Sequence, residues 1–300
     1  MEAAASAGQA AAWNGAEAEH WLTHEEHYNA AVAGYQQRLA ESASVQRGQR
    51  VLDIGCGCGE STRAAARAAA PGRVRGVDLS TVLIDRARRR AGLEGLANVE
   101  FIVADAQRHP FHRHDADLAI SRFGATFFVN PMAAFANIRH GLAPGGRLIL
   151  LAWQGIRQNE WLLAIREALS AGRALADPPD NVPGPFGLAG SNHAHTVLST
   201  AGFTAIEIGQ VREPVRLGAD PSDALAFLRG GGLVGGLLQD LSPGDAAAAL
   251  GRLAGTLSAH HTDKGVLFDS AAWLITARRP DTAHSAPAVL QGRRTGRRTP

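Results

Sequence analysis

Cysteine is nearly missing from this chain. Two occur, Cys56 and Cys58, two positions apart in what reads as a tight turn. They are badly placed for a disulfide framework, which fits a reducing compartment, and a cytoplasmic location is expected. Lysine is scarcer still: Lys264 is the only one, and arginine carries the rest of the basic charge. The formal net charge is only +2, so no whole-chain field argues for nucleic acid. No apolar run reaches the roughly 18 residues of a membrane span, so none is expected. The start, Met1-Glu2-Ala3-Ala4, lacks a basic segment and a long apolar one, and no signal peptide is read there.

What is present is enough chain to bury a core. Three hundred residues at 45% hydrophobic content suit one sizeable domain plus an insertion. Strands and helices alternate from 50 to 153, the signature of a parallel sheet covered on both sides. Helices are expected near 60–70, 80–91, 131–141 and 159–175, and strands over 203–211 and 266–278. Upstream, residues 1–12 are Ala-rich and expected to be disordered. A helix around 17–42 follows, with Trp21, Tyr28, Val32, Tyr35 and Leu39 on one face. The long connection 212–264 exceeds ordinary loop length and reads as a helical insertion bent at Gly230-Gly231-Gly232. Arg293, Arg294, Arg297 and Arg298 mark a polar tail expected to be disordered. The resulting division is a start and helical lid over 1–44, a core over 45–211 plus 265–279, a cap over 212–264, and a tail over 280–300.

The most informative stretch is Val51-Leu52-Asp53-Ile54-Gly55-Cys56-Gly57-Cys58-Gly59. An apolar strand runs into alternate glycines, and Glu60-Ser61-Thr62-Arg63 then starts a helix. That layout sets a helix N-terminus and close backbone against an anionic ligand, with the dipole adding about 0.3–1 kcal/mol. A dinucleotide fingerprint needs glycine at position 60, which is Glu. Glycines at 55, 57 and 59 after Asp53 instead resemble motif I of the class I S-adenosylmethionine (SAM) methyltransferases. Gly76-Val77-Asp78-Leu79, Val103-Ala104-Asp105-Ala106, Asp117 to Phe123, and Leu142-Ala143-Pro144-Gly145-Gly146 resemble that family's later elements in order. The resemblance is close over about 45–155 and loose over 156–278.

The resemblance implies an α/β, Rossmann-like fold: a seven-stranded, mostly parallel sheet with helices on both faces, an N-terminal helical lid and a helical insertion before the last strand. It implies SAM as cofactor. Gly55 and Gly57 are expected to allow close backbone approach to its methionine end, Asp78 to accept from the ribose, and Asp105 from the adenine amino group. Leu79 and Ala106 would flank the adenine; Asp53, Cys56, Ser121 and Phe123 complete the expected cofactor site. Trp13-Asn14-Gly15 resembles a segment that meets the methionine end.

Cys56 and Cys58 read either as a metal or redox pair or as small residues tolerated between glycines. No further ligands at zinc spacing accompany them, and no metal is expected. His109, His112 and His114 sit in the loop after the third strand and read as solvated. Neither the Asp/Asn-Pro-Pro-aromatic motif of DNA amino-methyltransferases nor the double-glutamate loop of protein-arginine enzymes is visible. Phe123, with Phe127 and Phe128 behind it, resembles the ubiquinone/menaquinone-biosynthesis type and implies a small-molecule acceptor. No catalytic residue is required, though His24 on the lid is a candidate general base. Three alternatives remain: a SAM-binding regulatory or assembly protein, an NAD-type oxidoreductase, and a methyltransferase acting on RNA or protein.

Overall fold

The computed structural model describes residues 8, 9 and 11–281. The four arginines of the tail and most of the Ala-rich start lie outside them. Gly8, Gln9, Ala11 and Ala12 are helical, and Gln9 Nε2 donates to the Phe127 carbonyl at 2.6 Å. This part of the start is therefore anchored, contrary to its composition.

Three short helices follow: α1 (Ala16–Thr23), α2 (Glu25–Ala31) and α3 (Ala33–Ala43). The single predicted helix is broken at His24 (φ −113°, ψ 24°) and Val32 (φ −115°, ψ 23°). The breaks have a packing consequence. Tyr35 and Leu39 enter the main core, while Trp21 and Tyr28 stack on each other at 3.9 Å.

The alternating region is β1 (Val51–Ile54), α4 (Glu60–Ala69), β2 (Val74–Asp78), α5 (Thr81–Leu93), β3 (Val99–Val103), β4 (Ala116–Arg122), α6 (Pro131–Gly141) and β5 (Leu142–Trp153). Next come α7 (Glu160–Leu169), α8 (Ser191–Thr200) and β6 (Thr204–Arg212). The chain then adds β7 (Val215–Gly218), α9 (Pro221–Arg229), α10 (Gly232–Leu238), α11 (Pro243–Ala259), β8 (His261–Thr262), β9 (Gly265–Phe268) and β10 (Ala271–Arg278).

Seven strands form one sheet in the order β3-β2-β1-β4-β5-β10-β6, with β10 antiparallel to both neighbours. The remaining pairs, β1 with β2 and β4, β2 with β3, and β4 with β5, are parallel. The expected seven-stranded α/β architecture is what forms. Val51, Leu52, Asp53 and Ile54 are all buried, as a central parallel strand requires. The Pro144-Gly145-Gly146 turn lies inside the span of β5, where the register with β4 jumps from Ala116↔Leu142 to Leu118↔Arg147.

Apolar side chains fill both faces of the sheet. Leu118, Ile149 and Leu151 face a layer that includes Ile165, Leu169, Leu253 and Leu257. Leu148, Leu150 and Ile275 face the layer of Phe135, Ile138 and Leu198. Each such side chain contributes about 1.5–3 kcal/mol by leaving water.

The insertion is helical over α9, α10 and α11, with the bend at Gly230 and Gly231 between the first two. It also contains strand. The predicted strand over 266–278 divides at Asp269 and Ser270, and its first part pairs with β7 and β8 in a separate antiparallel sheet. The strand order reverses between β1 and β4, and open α/β sheets place ligands outside such a point.

Candidate active site

A cleft of about 440 Å³ opens at the carboxyl ends of β1, β2 and β4, roofed by α1, α2 and the turn from α9 to α10. Its size is that of a small-molecule site.

The glycine turn forms the floor. Gly55, Gly57 and Gly59 have φ of 65°, 52° and 78°, values that a side chain resists. At Gly55 a Cβ would also meet Gly124 Cα at 2.8 Å. The N–H groups at 55 to 57 are already engaged within the fold: Gly55 and Cys56 donate to the Val77 carbonyl at 2.8 and 3.1 Å, and Gly57 donates to Asp78 Oδ2 at 2.8 Å. The turn thus offers a ligand close approach rather than these donors.

Asp78 ends β2 and lines the cleft. Oδ1 accepts from Ser80 N at 2.9 Å, and burial pushes the carboxyl above its ordinary value against its backbone hydrogen bonds. The carboxylate takes backbone N–H groups of Gly57, Ser80 and Leu79, and its two oxygens keep lone-pair capacity beyond these three for a diol. Asp105 lies two residues beyond β3, with Oδ1 accepting from Gln107 N at 2.9 Å and Gln107 Nε2 at 3.1 Å. Leu79, Ala106 and Phe123 line the cleft with them.

Asp53 lines the cleft from β1 but is 1% exposed and accepts from Thr62 Oγ1 at 2.6 Å. Burial raises its pKa to about 7. Cys56 and Cys58 also line the cleft, and burial pushes the first thiol far up and the second to about 12. Both are held as thiols, which makes them poor nucleophiles and metal ligands. Among the described residues, no three His, Cys, Asp or Glu side chains converge as a metal site.

Two expected residues fall elsewhere. Ser121 is fully buried; its hydroxyl donates to the Ile54 carbonyl at 2.7 Å and accepts from Ala125 N at 3.0 Å. It ties β4 to β1 and is not part of the cleft wall. His24 is directed to the His20 carbonyl through Nδ1 at 3.0 Å and also stands outside the wall. The helix break at His24 turns the His20 side of α1 toward the cleft, so His20 is the imidazole that lines it. Asn14 is displaced too. It clasps the turn after β2, accepting from Thr81 N at 2.9 Å, rather than the glycine turn.

The far half of the cleft is aromatic. Trp13 meets Trp21 and Phe127 edge-on at 5.9 and 5.6 Å. Phe123 lies flat on Trp153 at 4.2 Å. Phe227, Leu228, Leu233 and Val234 of the insertion complete the wall, whereas Leu238 packs against the core. Sequence reasoning missed Arg122, Asn29, Trp153 and Trp161 in this wall. None carries a local signal; each comes to the cleft through long-range packing.

The family profile described as "Methyltransferase domain" matches residues 51–146. Aklanonic acid methyltransferase DauC of Streptomyces sp. (strain C5) is 34% identical over 37% of this chain and 51% of its own length. The ubiquinone/menaquinone biosynthesis C-methyltransferase UbiE of Ectopseudomonas mendocina (strain ymp) is 35% identical over 37% of this chain and 44% of its own. The chain thus spans about half the length of these curated relatives. The YcgJ protein of Bacillus subtilis shares the fold at 17% identity and a TM-score of 0.55, covering 83% of this chain and 99% of that one. No described helix is long and apolar enough to cross a membrane. The glycine turn and the strand-end acids lie within the matched span: residues 51–146 match a methyltransferase domain, and the two curated relatives above are methyltransferases.

Proposed function

We propose that the chain transfers the methyl group of SAM to a small, largely apolar, aromatic acceptor. One observation carries the reading: a single cleft joins the Gly55–Asp78–Asp105 arc to a wall of Trp13, Trp21, Tyr28, Phe127 and Phe227. The arc suits an adenosine and the wall suits a planar ring. The relatives named for aklanonic acid and for ubiquinone and menaquinone biosynthesis agree with such an acceptor.

The residues act by positioning. In this reading Asp78 accepts from the ribose and Asp105 from the adenine amino group, with Leu79 and Ala106 against the ring; all four line the cleft. Aromatic faces favour the sulfonium charge. The reaction is an in-line displacement, and the cleft's task is to hold the nucleophile about 3–3.5 Å from the methyl carbon while excluding water. An acceptor that starts protonated finds His20 and Tyr28 in the wall. The segment 212–264 is proposed as the acceptor cap on a core of 45–211 and 265–279. The two free cysteines accord with a cytoplasmic location.

Incubation of the full chain with methyl-labelled SAM and a panel of phenols, quinols and keto acids tests the reading. Label is expected in at least one aromatic acceptor. Tight SAM binding with no transfer to any of them points to a SAM-binding protein without transfer activity.

A further inference from the structure

The cleft contains a guanidinium with no salt-bridge partner among the described residues. Arg122 closes β4 and lines the wall beside the glycine turn. Its Nη2 donates to Asn29 Oδ1 of α2 at 2.8 Å, while Nη1 is sealed from solvent and has no hydrogen-bond partner. No described carboxylate lies within ion-pair distance of this guanidinium. Glu60 is taken by Arg63 at 2.6 Å. Asp53 accepts from Thr62, and its pKa of about 7 leaves it only partly ionised near neutrality. Burial pulls Arg122 below its ordinary value, yet an arginine stays charged at physiological pH.

An unpaired buried charge destabilises the fold, and a fold that retains one at a cleft gives a ligand something to complete. The position says which ligand. Arg122 lies near Asp53 of β1 and near Glu60 and Arg63 at the start of α4, on either side of the glycine turn. Asp78 and Asp105 stand at the opposite end of the same arc, on β2 and after β3. A SAM molecule laid with its adenosine on those acids extends its amino-acid end toward that turn. The N–H groups of Gly55, Cys56 and Gly57 are already engaged there.

We propose that Arg122, steadied by Asn29, binds the α-carboxylate of the cofactor's methionine moiety. The assignment rests on the SAM reading above. Guanidinium and carboxylate match in charge and can share two parallel hydrogen bonds.

Calorimetric titration of the full chain with SAM and with decarboxylated SAM provides the test. Wild type is expected to bind SAM the more tightly. Arg122→Met is expected to bind SAM roughly 10- to 100-fold more weakly, with decarboxylated SAM changed by less than about threefold. Arg122→Lys should recover part of the loss. The melting temperature of unliganded Arg122→Met should not fall, because an uncompensated charge has been removed. Should Arg122→Met not fold, Arg122→Gln, which keeps a donor for Asn29, carries the same comparison. Equal binding of both compounds by wild type overturns the assignment, as does undiminished discrimination in the variants. If neither compound binds wild type, it is the SAM reading that falls.

Discussion

Two carboxylates of the cleft carry different burdens. Asp78 ends a strand and keeps lone-pair capacity, so Asp78→Ala should weaken SAM binding by roughly 10- to 100-fold, the range of a lost charge-assisted hydrogen bond. Unchanged affinity in calorimetry would make Asp78 a brace for Gly57 and Ser80 only. Asp53 is a stability problem instead. Its folded pKa of about 7 lies above the ordinary 3.8, so the folded state holds the proton more tightly than the unfolded chain does. Stability from this group is fully present below 3.8 and is lost as pH rises through 7. Asp53→Asn should therefore be more stable than wild type at pH 8, by at most about 4 kcal/mol, with the advantage fading toward pH 4. Urea unfolding of both proteins at pH 5 and pH 8 checks the sign. A variant destabilised equally at both pH values would show that the Thr62 hydrogen bond outweighs burial.

The helices that frame the cleft are tied to the core on one side and to the ligand space on the other. Wholesale removal of 212–264 would strip Leu253 and Leu257, which pack in the same layer as Ile165 and Leu169. A point change separates the roles better. Phe227 of α9 stacks on His27 at 3.9 Å and faces the cleft. Phe227→Ala is expected to raise the acceptor KM by about tenfold or more and leave SAM affinity within about twofold, as removal of apolar contact to one ligand only would. It should also cost up to about 3–5 kcal/mol of stability, less if the cleft side relaxes. An acceptor KM equal to wild type would confine α9 to a packing role.

At the scale of the whole molecule, the site is a junction of distant segments. Gln9 reaches Phe127, Asn14 reaches Leu79 and Thr81, and His27 reaches the Leu217 carbonyl at 2.7 Å. A cofactor bound at that junction stabilises every segment that touches it. Saturating SAM should raise the melting temperature by several degrees, since 100 Kd of ligand adds about 2.7 kcal/mol. NAD at the same concentration should leave it unchanged, because Glu60 stands where the dinucleotide turn needs glycine. A shift with NAD and none with SAM would reverse the cofactor assignment.

The sequence alone determined the sheet, because short-range pattern is enough for it. The run at 51–54 suits a strand buried on both faces, and the segments 74–78 and 99–103, which mix apolar and charged residues, suit strands nearer the sheet edge. Glycines at 55, 57 and 59, with acids at 78 and 105, mark strand ends through local backbone geometry. What tertiary structure decided is everything that depends on which distant side chains meet. Helical periodicity through 17–42 carries no sign of the breaks at His24 and Val32, so it selected His24 where the fold presents His20. Ser121 looked like a ligand contact by position, and only the close approach of β4 to Ile54 occupies its hydroxyl. Arg122 is one arginine among many in the sequence. Its lack of a counter-ion exists only once Asn29, Glu60 and Asp53 have taken their places around it, and burial then turns an ordinary side chain into a binding group.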